Sequence, residues 1–137
     1  MGIPAGIAAA LRFPDKQVFS IVGDGGALMT GSELATAVAH KAKIRVIVAN
    51  NNHYGTIRYH QEVHFPTRDH YATKLVNPDF AKYGESFGLK CFTIHNTEEI
   101  LPTIKSAMKV DGPSLIEFKM SLELNTSTAT ISQLQTN

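Results

Sequence analysis

The stretch VFSIVGDGG at residues 18–26 decides the fold of this chain. Its first five residues are apolar or favour extended backbone and have the length of a strand, and the glycines that follow break the chain. A second run, Ile44 to Ala49, also ends on polar residues, Asn50-Asn51-Asn52. This second run is nearly all apolar, which is typical of a strand covered on both faces of a sheet.

Helix signals alternate with strand signals along the rest of the chain. Four helices are predicted: one over Pro4–Leu11, one after a Thr30/Glu33 capping box, one between Asn77-Pro78 and Gly88, and one after an Asn96/Glu99 capping pair. The last two strands are predicted over Leu89–Ile94 and Leu115–Phe118. Residues 50–77 are predicted to form a long polar loop. The alternation predicts an α/β fold, a doubly wound, mostly parallel sheet with helices on both faces.

Length and composition limit the function classes. A chain of 137 residues with 43% hydrophobic residues predicts one globular domain. A net charge of +1 without clustered cations argues against nucleic acid as a partner, and no uncharged apolar run has the ~20 residues of a membrane span. Cys91 is the single cysteine, alternates with apolar residues and is predicted to be an inert core thiol. A cytoplasmic protein is expected.

The polar residues that end the first two strands predict a cofactor site. Carboxyl ends of neighbouring parallel strands share one edge of a sheet, where ligands bind. Glycines allow the backbone to approach an anion, but Asp24 would repel a bare phosphate; Mg²⁺ between them resolves that conflict. Asp24 and Asn51 are therefore predicted to hold a magnesium–diphosphate group. The alternative is a glycine turn with a capping Asp; the dinucleotide fingerprint is absent, because Leu28 stands where Gly or Ala is required.

Four longer segments carry a resemblance to a known family. They read GDGGALMTGSELATA (23–37), NNNHYGTIR (50–58), NPDF (77–80) and GPSLIE (112–117). Over roughly residues 3–120 the chain resembles the C-terminal, diphosphate-binding domain of the acetolactate synthase and benzoylformate decarboxylase group, whose cofactors are thiamine diphosphate and Mg²⁺. The resemblance implies the thiamine diphosphate-binding fold. It makes Asp24 and Asn51 side-chain metal ligands and His53 a ligand through its backbone carbonyl, and it implies that Gly25, Gly26 and Tyr54 contact the diphosphate.

The chain departs from the family at positions that bear on the substrate. His60 stands where acetolactate synthases have Trp, and Ile57 stands near a carboxylate position of pyruvate decarboxylases. Arg58 and Arg68 are candidates to face a substrate carboxylate. Glu62 is predicted to be a solvated surface carboxylate rather than a general base. His60 and His64 have the i, i+4 spacing that can place two zinc ligands on one face of a helix. The sequence indicates no third ligand, so these histidines are expected to be exposed or to pack in a loop.

The resemblance implies half of an active site. Residues 1–124 are expected to be a diphosphate-binding domain that is incomplete at its N-terminus, and residues 125–137 a loose tail. The activating Glu of the family lies on a pyrimidine-binding domain, so no catalytic residue is assigned here. The expected function is cofactor binding within a 2-oxo acid decarboxylase or carboligase, silent without a pyrimidine-binding domain from the same or another chain, in a homo-oligomer. The alternatives are the second subunit of a split enzyme and a non-enzymatic, flavodoxin-like nucleotide-binding or interaction module.

Overall fold

Four parallel strands form the centre of the computed structural model, which describes residues 1–65, 68–123 and 130–135. They are β1 (Val18–Gly23), β2 (Ile44–Asn50), β3 (Lys90–Ile94) and β4 (Ser114–Lys119). Their order in the sheet is β1-β2-β4-β3, and every neighbouring pair is parallel. The predicted α/β class is therefore confirmed, and β1 and β2 are neighbours as the proposed site requires.

Helices connect the strands and cover both faces of the sheet. They are α1 (Gly2–Arg12), α2 (Asp24–Thr30), α3 (Leu34–Ala39), α4 (Gly55–His64), α5 (Phe80–Ser86), α6 (Ile100–Met108) and α7 (Ile131–Gln135), with short 3₁₀ turns at Gly31–Glu33 and Thr97–Glu99. None of the helices that the structure describes combines the length and apolar character needed to cross a membrane.

Two apolar clusters hold the helices to the sheet. On one face α1, α2, α3 and α5 pack against the inward side chains of β2 and against Leu115 of β4. On the other face α6 packs through Ile104 and Ala107 against Ile94 and Ile116. The alternation of side chains along each strand assigns residues to these two faces. At one edge of the second face, Phe19 and Ile21 of β1 stay exposed.

Local details of the helix starts differ from the sequence predictions. The sequence predicted that residues 23–26 interrupt the regular structure. This is wrong, because β1 ends at Gly23 and α2 begins directly at Asp24. The Thr30/Glu33 capping box is also wrong: the Thr30 hydroxyl donates back to the carbonyl of Gly26, and Glu33 accepts from the Thr36 hydroxyl instead. The Asn96/Glu99 pair is confirmed, with the Glu99 N–H donating to the Asn96 side chain at 3.2 Å.

The predicted long loop of residues 50–77 contains a helix. Helix α4 occupies Gly55–His64 and is stabilised along its length by an Arg58–Glu62 ion pair one turn apart. The helix predicted to open at Asn77-Pro78 begins slightly later, because Asp79 caps α5 by accepting from the N–H of Lys82 at 3.0 Å. Gly88 follows α5 with φ +92°, a left-handed conformation that ends helices readily.

The predicted tail at residues 125–137 is described only in part. Residues 130–135 include α7, which contacts α4, and Ile131 at its start is buried. Residues 125–129 and 136–137 lie outside the described residues, as does position 124 at the end of the predicted domain.

Candidate functional site

The register of β1 and β2 brings the two polar strand ends together. Gly23 pairs with Ala49, so Asp24 and Asn50 leave the same edge of the sheet side by side. A cavity of about 270 Å³ opens there, lined by residues 23–26 and 53–57. It collects the predicted residues Asp24, Gly25, Gly26, His53 and Tyr54 at one place. Asn51 follows directly on β2 but does not line this cavity.

Asp24 is a buried carboxylate at the first position of α2. Its side chain is held at both oxygens: Oδ1 accepts from the N–H of Gly25 at 2.9 Å, and Oδ2 accepts from Nδ2 of Asn77 at 2.7 Å. The residue is only 3% exposed. The position and orientation of this carboxylate are thus fixed by its own helix and by a residue 53 positions further along the chain.

Asn77 gathers three oxygen atoms around one amide nitrogen. Besides Asp24, its Nδ2 donates to Oδ1 of Asn50 at 2.9 Å and lies 3.3 Å from Oδ1 of Asn52. Its own Oδ1 is buried and meets no hydrogen-bond donor among the described residues. One carboxylate and three amide oxygens are hard ligands of the kind that Mg²⁺ prefers. The oxygen-rich lining of this edge therefore fits a magnesium ion, and of these four residues only Asp24 belongs to the predicted ligand set, because Oδ1 of Asn51 accepts from the backbone N–H of His53.

The loop after β2 is ordered by its own hydrogen bonds. Oδ1 of Asn51 accepts from the backbone N–H of His53 at 3.0 Å, and the Asn51 carbonyl lies 3.2 Å from Nδ1 of His53. Nη1 of Arg58 lies 3.3 Å from Nε2 of the same imidazole. A neutral His53 that carries its proton on Nδ1 satisfies both ring contacts at once. Neither contact uses the carbonyl oxygen of His53, the atom predicted to bind metal.

A second buried carboxylate supports the site from β4. Glu117 is 1% exposed, and its Oε1 accepts from Nδ2 of Asn50 at 2.7 Å and from Nζ of Lys119 at 2.6 Å. Asn50 thus donates to Glu117 with its nitrogen and accepts from Asn77 with its oxygen. The result is a continuous hydrogen-bonded path from Lys119 through the strand end to Asp24.

Three glycines shape the cavity, one by close packing and two by leaving open space. A Cβ on Gly25 would come within 2.5 Å of the Tyr54 ring, so backbone and ring can only approach this closely because the residue is glycine. A Cβ on Gly23 would meet no heavy atom within 4 Å, and one on Gly26 would have its nearest neighbour at 4.0 Å. The cavity is tightly packed beside Tyr54 and open beside the other two glycines, which leaves room for a ligand.

Glu62 is not the solvated surface carboxylate that the sequence predicted. Its side chain has no exposed area, and it accepts from Nε of Arg58 at 3.3 Å and contacts Nε2 of His70. The prediction was wrong because burial depends on the segment around His70, which folds back over α4 and is not visible in the helix sequence alone.

The sequence predictions missed Asn77 and Glu117 as parts of the site. Both lie in segments that carried the resemblance, NPDF and GPSLIE, but neither was assigned a role. Glu117 had a signal of its own, since a carboxylate inside an apolar strand must find partners when it is buried. Asn77 had no local signal, because its three partners come from the start of α2, the end of β2 and the loop after β2.

This geometry defines a class of protein: an α/β domain that binds its ligand at the carboxyl edge of a parallel sheet. Residues 1–118 match the family model described as "Thiamine pyrophosphate enzyme, C-terminal TPP binding domain". The chain belongs to this family, which confirms the resemblance; thiamine pyrophosphate is thiamine diphosphate under its other name. Family membership favours the expected function and the split-enzyme alternative, in both of which the chain binds this cofactor, over the non-enzymatic module.

Individual relatives agree with the family assignment. The chain is 37% identical over 122 residues to YdaP of Bacillus subtilis, whose name describes it as thiamine pyrophosphate-containing, with 89% of this chain and 21% of that protein covered. It is 32% identical to the acetolactate synthase large subunit of Porphyra purpurea, covering 88% of this chain and 20% of that protein.

A solved structure shares the fold. The thiamine diphosphate-dependent 4-hydroxybenzoylformate decarboxylase of Rhodococcus jostii RHA1 superimposes with a TM-score of 0.81 at 30% identity, covering 88% of this chain and 23% of that one. The chain therefore spans about a fifth of the length of the relatives that it matches.

Proposed function

We propose that this chain binds the diphosphate end of thiamine diphosphate through Mg²⁺, as part of a 2-oxo acid decarboxylase or carboligase. Asp24 and Asn51 supply side-chain oxygens to the metal, and His53 supplies its backbone carbonyl. Gly25, Gly26 and Tyr54 contact the diphosphate. When bound, the cofactor supplies the carbanion stabilisation that such chemistry needs. The residues of this chain position the cofactor and hold its charge.

One observation carries the proposal: Asp24 is a buried carboxylate that has no cationic partner in the part of the chain that the structure describes. Glu62 pairs with Arg58 and His70, and Glu117 pairs with Lys119. Asp24 is buried too, yet no Lys, Arg or His among the described residues forms an ion pair with it. Buried charges in proteins are paired or coordinate metals. A divalent cation at this edge supplies the missing positive charge and links it to a diphosphate.

The residues proposed to bind the metal and the diphosphate form only one part of an active site. The activating Glu is proposed to come from a pyrimidine-binding domain of the same or another chain, in a cytoplasmic homo-oligomer. Without that domain the chain is expected to bind the cofactor weakly and to be catalytically silent. A 2-oxo acid is the proposed substrate class of the complete enzyme.

Calorimetric titration of the chain with thiamine diphosphate, with and without Mg²⁺, tests the proposal. We expect binding that requires Mg²⁺ and falls at least tenfold in Asp24→Asn and in Asn51→Ala. Asp15→Ala removes an exposed carboxylate before β1, at the opposite edge of the sheet, and should bind like the parent. Equal binding by the parent, Asp24→Asn and Asn51→Ala would show that the ligand assignment is wrong, and tight binding without Mg²⁺ would remove the metal from the proposal.

A further inference from the structure

The imidazole of His53 connects the loop after β2 to a buried ion pair. Nη1 of Arg58, in the first turn of α4, donates to Nε2 of this ring at 3.3 Å. Nε of the same guanidinium donates to Oε1 of Glu62, one turn further along the helix, also at 3.3 Å. Glu62 has no exposed side-chain area and also contacts Nε2 of His70. The ring of His53 is therefore held, through Arg58, by a fully buried carboxylate.

The peptide group between His53 and Tyr54 has a defined direction. The N–H of Tyr54 donates to the carbonyl of Thr73 at 2.8 Å. This peptide group is trans, so its C=O and N–H point in opposite directions. The carbonyl of His53, which is the atom proposed to bind the metal, therefore points away from Thr73.

His53 is held at three points, which differ in their relation to the metal. Its N–H donates to Oδ1 of Asn51 at 3.0 Å, an oxygen that is itself proposed to bind the metal. The peptide bond to Tyr54 is oriented by Thr73, which lies in neither a helix nor a strand. The ring contact with Arg58 is the one made to a helix, and it uses no atom of the proposed metal site.

The charge and the shape of the Arg58 side chain have separate roles. Glu62 is buried and needs cationic partners, which the charge of Arg58 helps to supply. The contact with His53 depends on shape, because the guanidinium uses one nitrogen for Glu62 and another for the ring. Its planar fork fixes the angle between these two contacts. A lysine has a single nitrogen, so it can keep the ion pair with Glu62 but cannot reproduce this arrangement.

We propose that Arg58 is a positioning residue for the metal site: by holding the ring of His53, it keeps the backbone carbonyl of that residue directed at Mg²⁺. This inference rests on the proposed function, which makes that carbonyl a metal ligand. Arg58 is not among the residues that line the glycine-lined cavity, so it acts through His53. A substitution that preserves its charge but not its fork should therefore weaken cofactor binding that depends on Mg²⁺.

Calorimetric titration with thiamine diphosphate in the presence of Mg²⁺ tests this role in Arg58→Lys, in His53→Phe and in the double variant. Each single variant should bind about fivefold more weakly, the effect of losing one hydrogen bond. The double variant should lose no more than a single one, about fivefold, because both changes remove the same contact. Arg12→Lys is the matched control: it makes the same change at an exposed arginine, at the end of α1, and should bind like the parent.

Two further measurements distinguish positioning from a general loss of stability. His53→Gln offers an amide oxygen to Arg58 in place of the ring nitrogen, and should stay within about twofold of the parent. In the chain without metal or cofactor, the ¹⁵N resonance of His53 Nε2 should shift in Arg58→Lys, because this nitrogen loses its donor. The same resonance should stay in place in Arg12→Lys.

The outcomes separate this inference from the proposed function. A parent that binds thiamine diphosphate with Mg²⁺ while Arg58→Lys binds equally well would overturn the inference alone. So would a double variant whose loss is the product of the two single losses, or an unchanged Nε2 resonance in Arg58→Lys. Equal binding by His53→Phe and His53→Gln would also overturn it, and this comparison holds whether or not Arg58→Lys folds. A parent that does not bind thiamine diphosphate with Mg²⁺ would overturn the proposed function, and this inference with it.

Discussion

Replacing Asn77 by Ala tests whether one amide organises the carboxyl edge of the sheet. The substitution removes the donor to Asp24 at 2.7 Å and to Asn50 at 2.9 Å, and a longer contact of 3.3 Å to Asn52. A hydrogen bond to a charged group contributes about 1.5–3 kcal/mol and one to a neutral group about 1 kcal/mol. The expected loss in the free energy of unfolding is about 2–4 kcal/mol, most of it from the buried carboxylate of Asp24 losing its donor.

Urea denaturation followed by circular dichroism measures this loss directly. For a chain of this size about 1 kcal/mol shifts the melting temperature by about 3 °C, so thermal melts should show a drop of about 6–12 °C. Asn52→Gly is the matched control, because it removes only the longest contact and Asn52 has φ +59°, which glycine adopts without strain. The control should change the free energy of unfolding by no more than about 0.5 kcal/mol.

A companion variant sharpens the result. Asn77→Asp keeps the shape of the side chain but places a second carboxylate against Asp24, so it should be less stable than Asn77→Ala when no divalent cation is present. Mg²⁺ should then raise the melting temperature of Asn77→Asp more than that of the parent, because a cation among these oxygens relieves the repulsion. If Asn77→Ala loses no more stability than Asn52→Gly, or if Asn77→Asp matches Asn77→Ala with and without Mg²⁺, the account of this cluster is refuted.

Two further predictions concern packing and the thiol. Gly25→Ala should destabilise the chain by about 1–3 kcal/mol in urea denaturation because its Cβ collides with Tyr54, while Gly26→Ala should be neutral or stabilising within α2; equal effects of the two would contradict the packing. Burial raises the pKa of Cys91 to about 11, so the folded state keeps its proton after the unfolded thiol, near 9.0, has lost it. Stability from this source is complete below about pH 9 and is lost as the pH rises toward 11; the free energy of unfolding should fall more between pH 8 and 10.5 in the parent than in Cys91→Ser.

The sheet could be predicted from the sequence because its signals are local. Runs such as Ile44–Ala49 are apolar, bounded by polar residues, and long enough for one strand, and the alternation with helix signals leaves few ways to arrange them. The neighbouring positions of Asp24 and Asn50 then follow from parallel pairing of β1 and β2. For the same reason residues 24–26 and 53–54 were expected at one edge, and the structure places them around one cavity.

What could not be predicted depends on distant partners. Arg45 lies inside the apolar strand β2 and is buried, which its neighbours in sequence do not indicate. Its guanidinium donates to the carbonyls of Val110, at 2.8 Å, and of Gly112, which follow α6 more than 60 positions later. Burial lowers the pKa of Arg45, and Asp111 opposes that shift. Helix α4 was missed as well, and its Glu62 is buried against His70, a partner eight positions later that the helix sequence does not indicate.

The side-chain amides of Asn50 and Asn77 separate two buried carboxylates at the carboxyl edge of the sheet. Glu117 and Asp24 are both buried near the same edge, and two buried carboxylates in direct contact would repel each other strongly. Asparagine can donate and accept at once, so Asn50 donates to Glu117 and accepts from Asn77, which in turn donates to Asp24. Lys119 neutralises the Glu117 end of this path, whereas the Asp24 end opens onto the glycine-lined cavity with its charge uncompensated by the described residues. The network therefore leaves one carboxylate facing the cavity, which is what the proposed site for a metal-bound diphosphate requires.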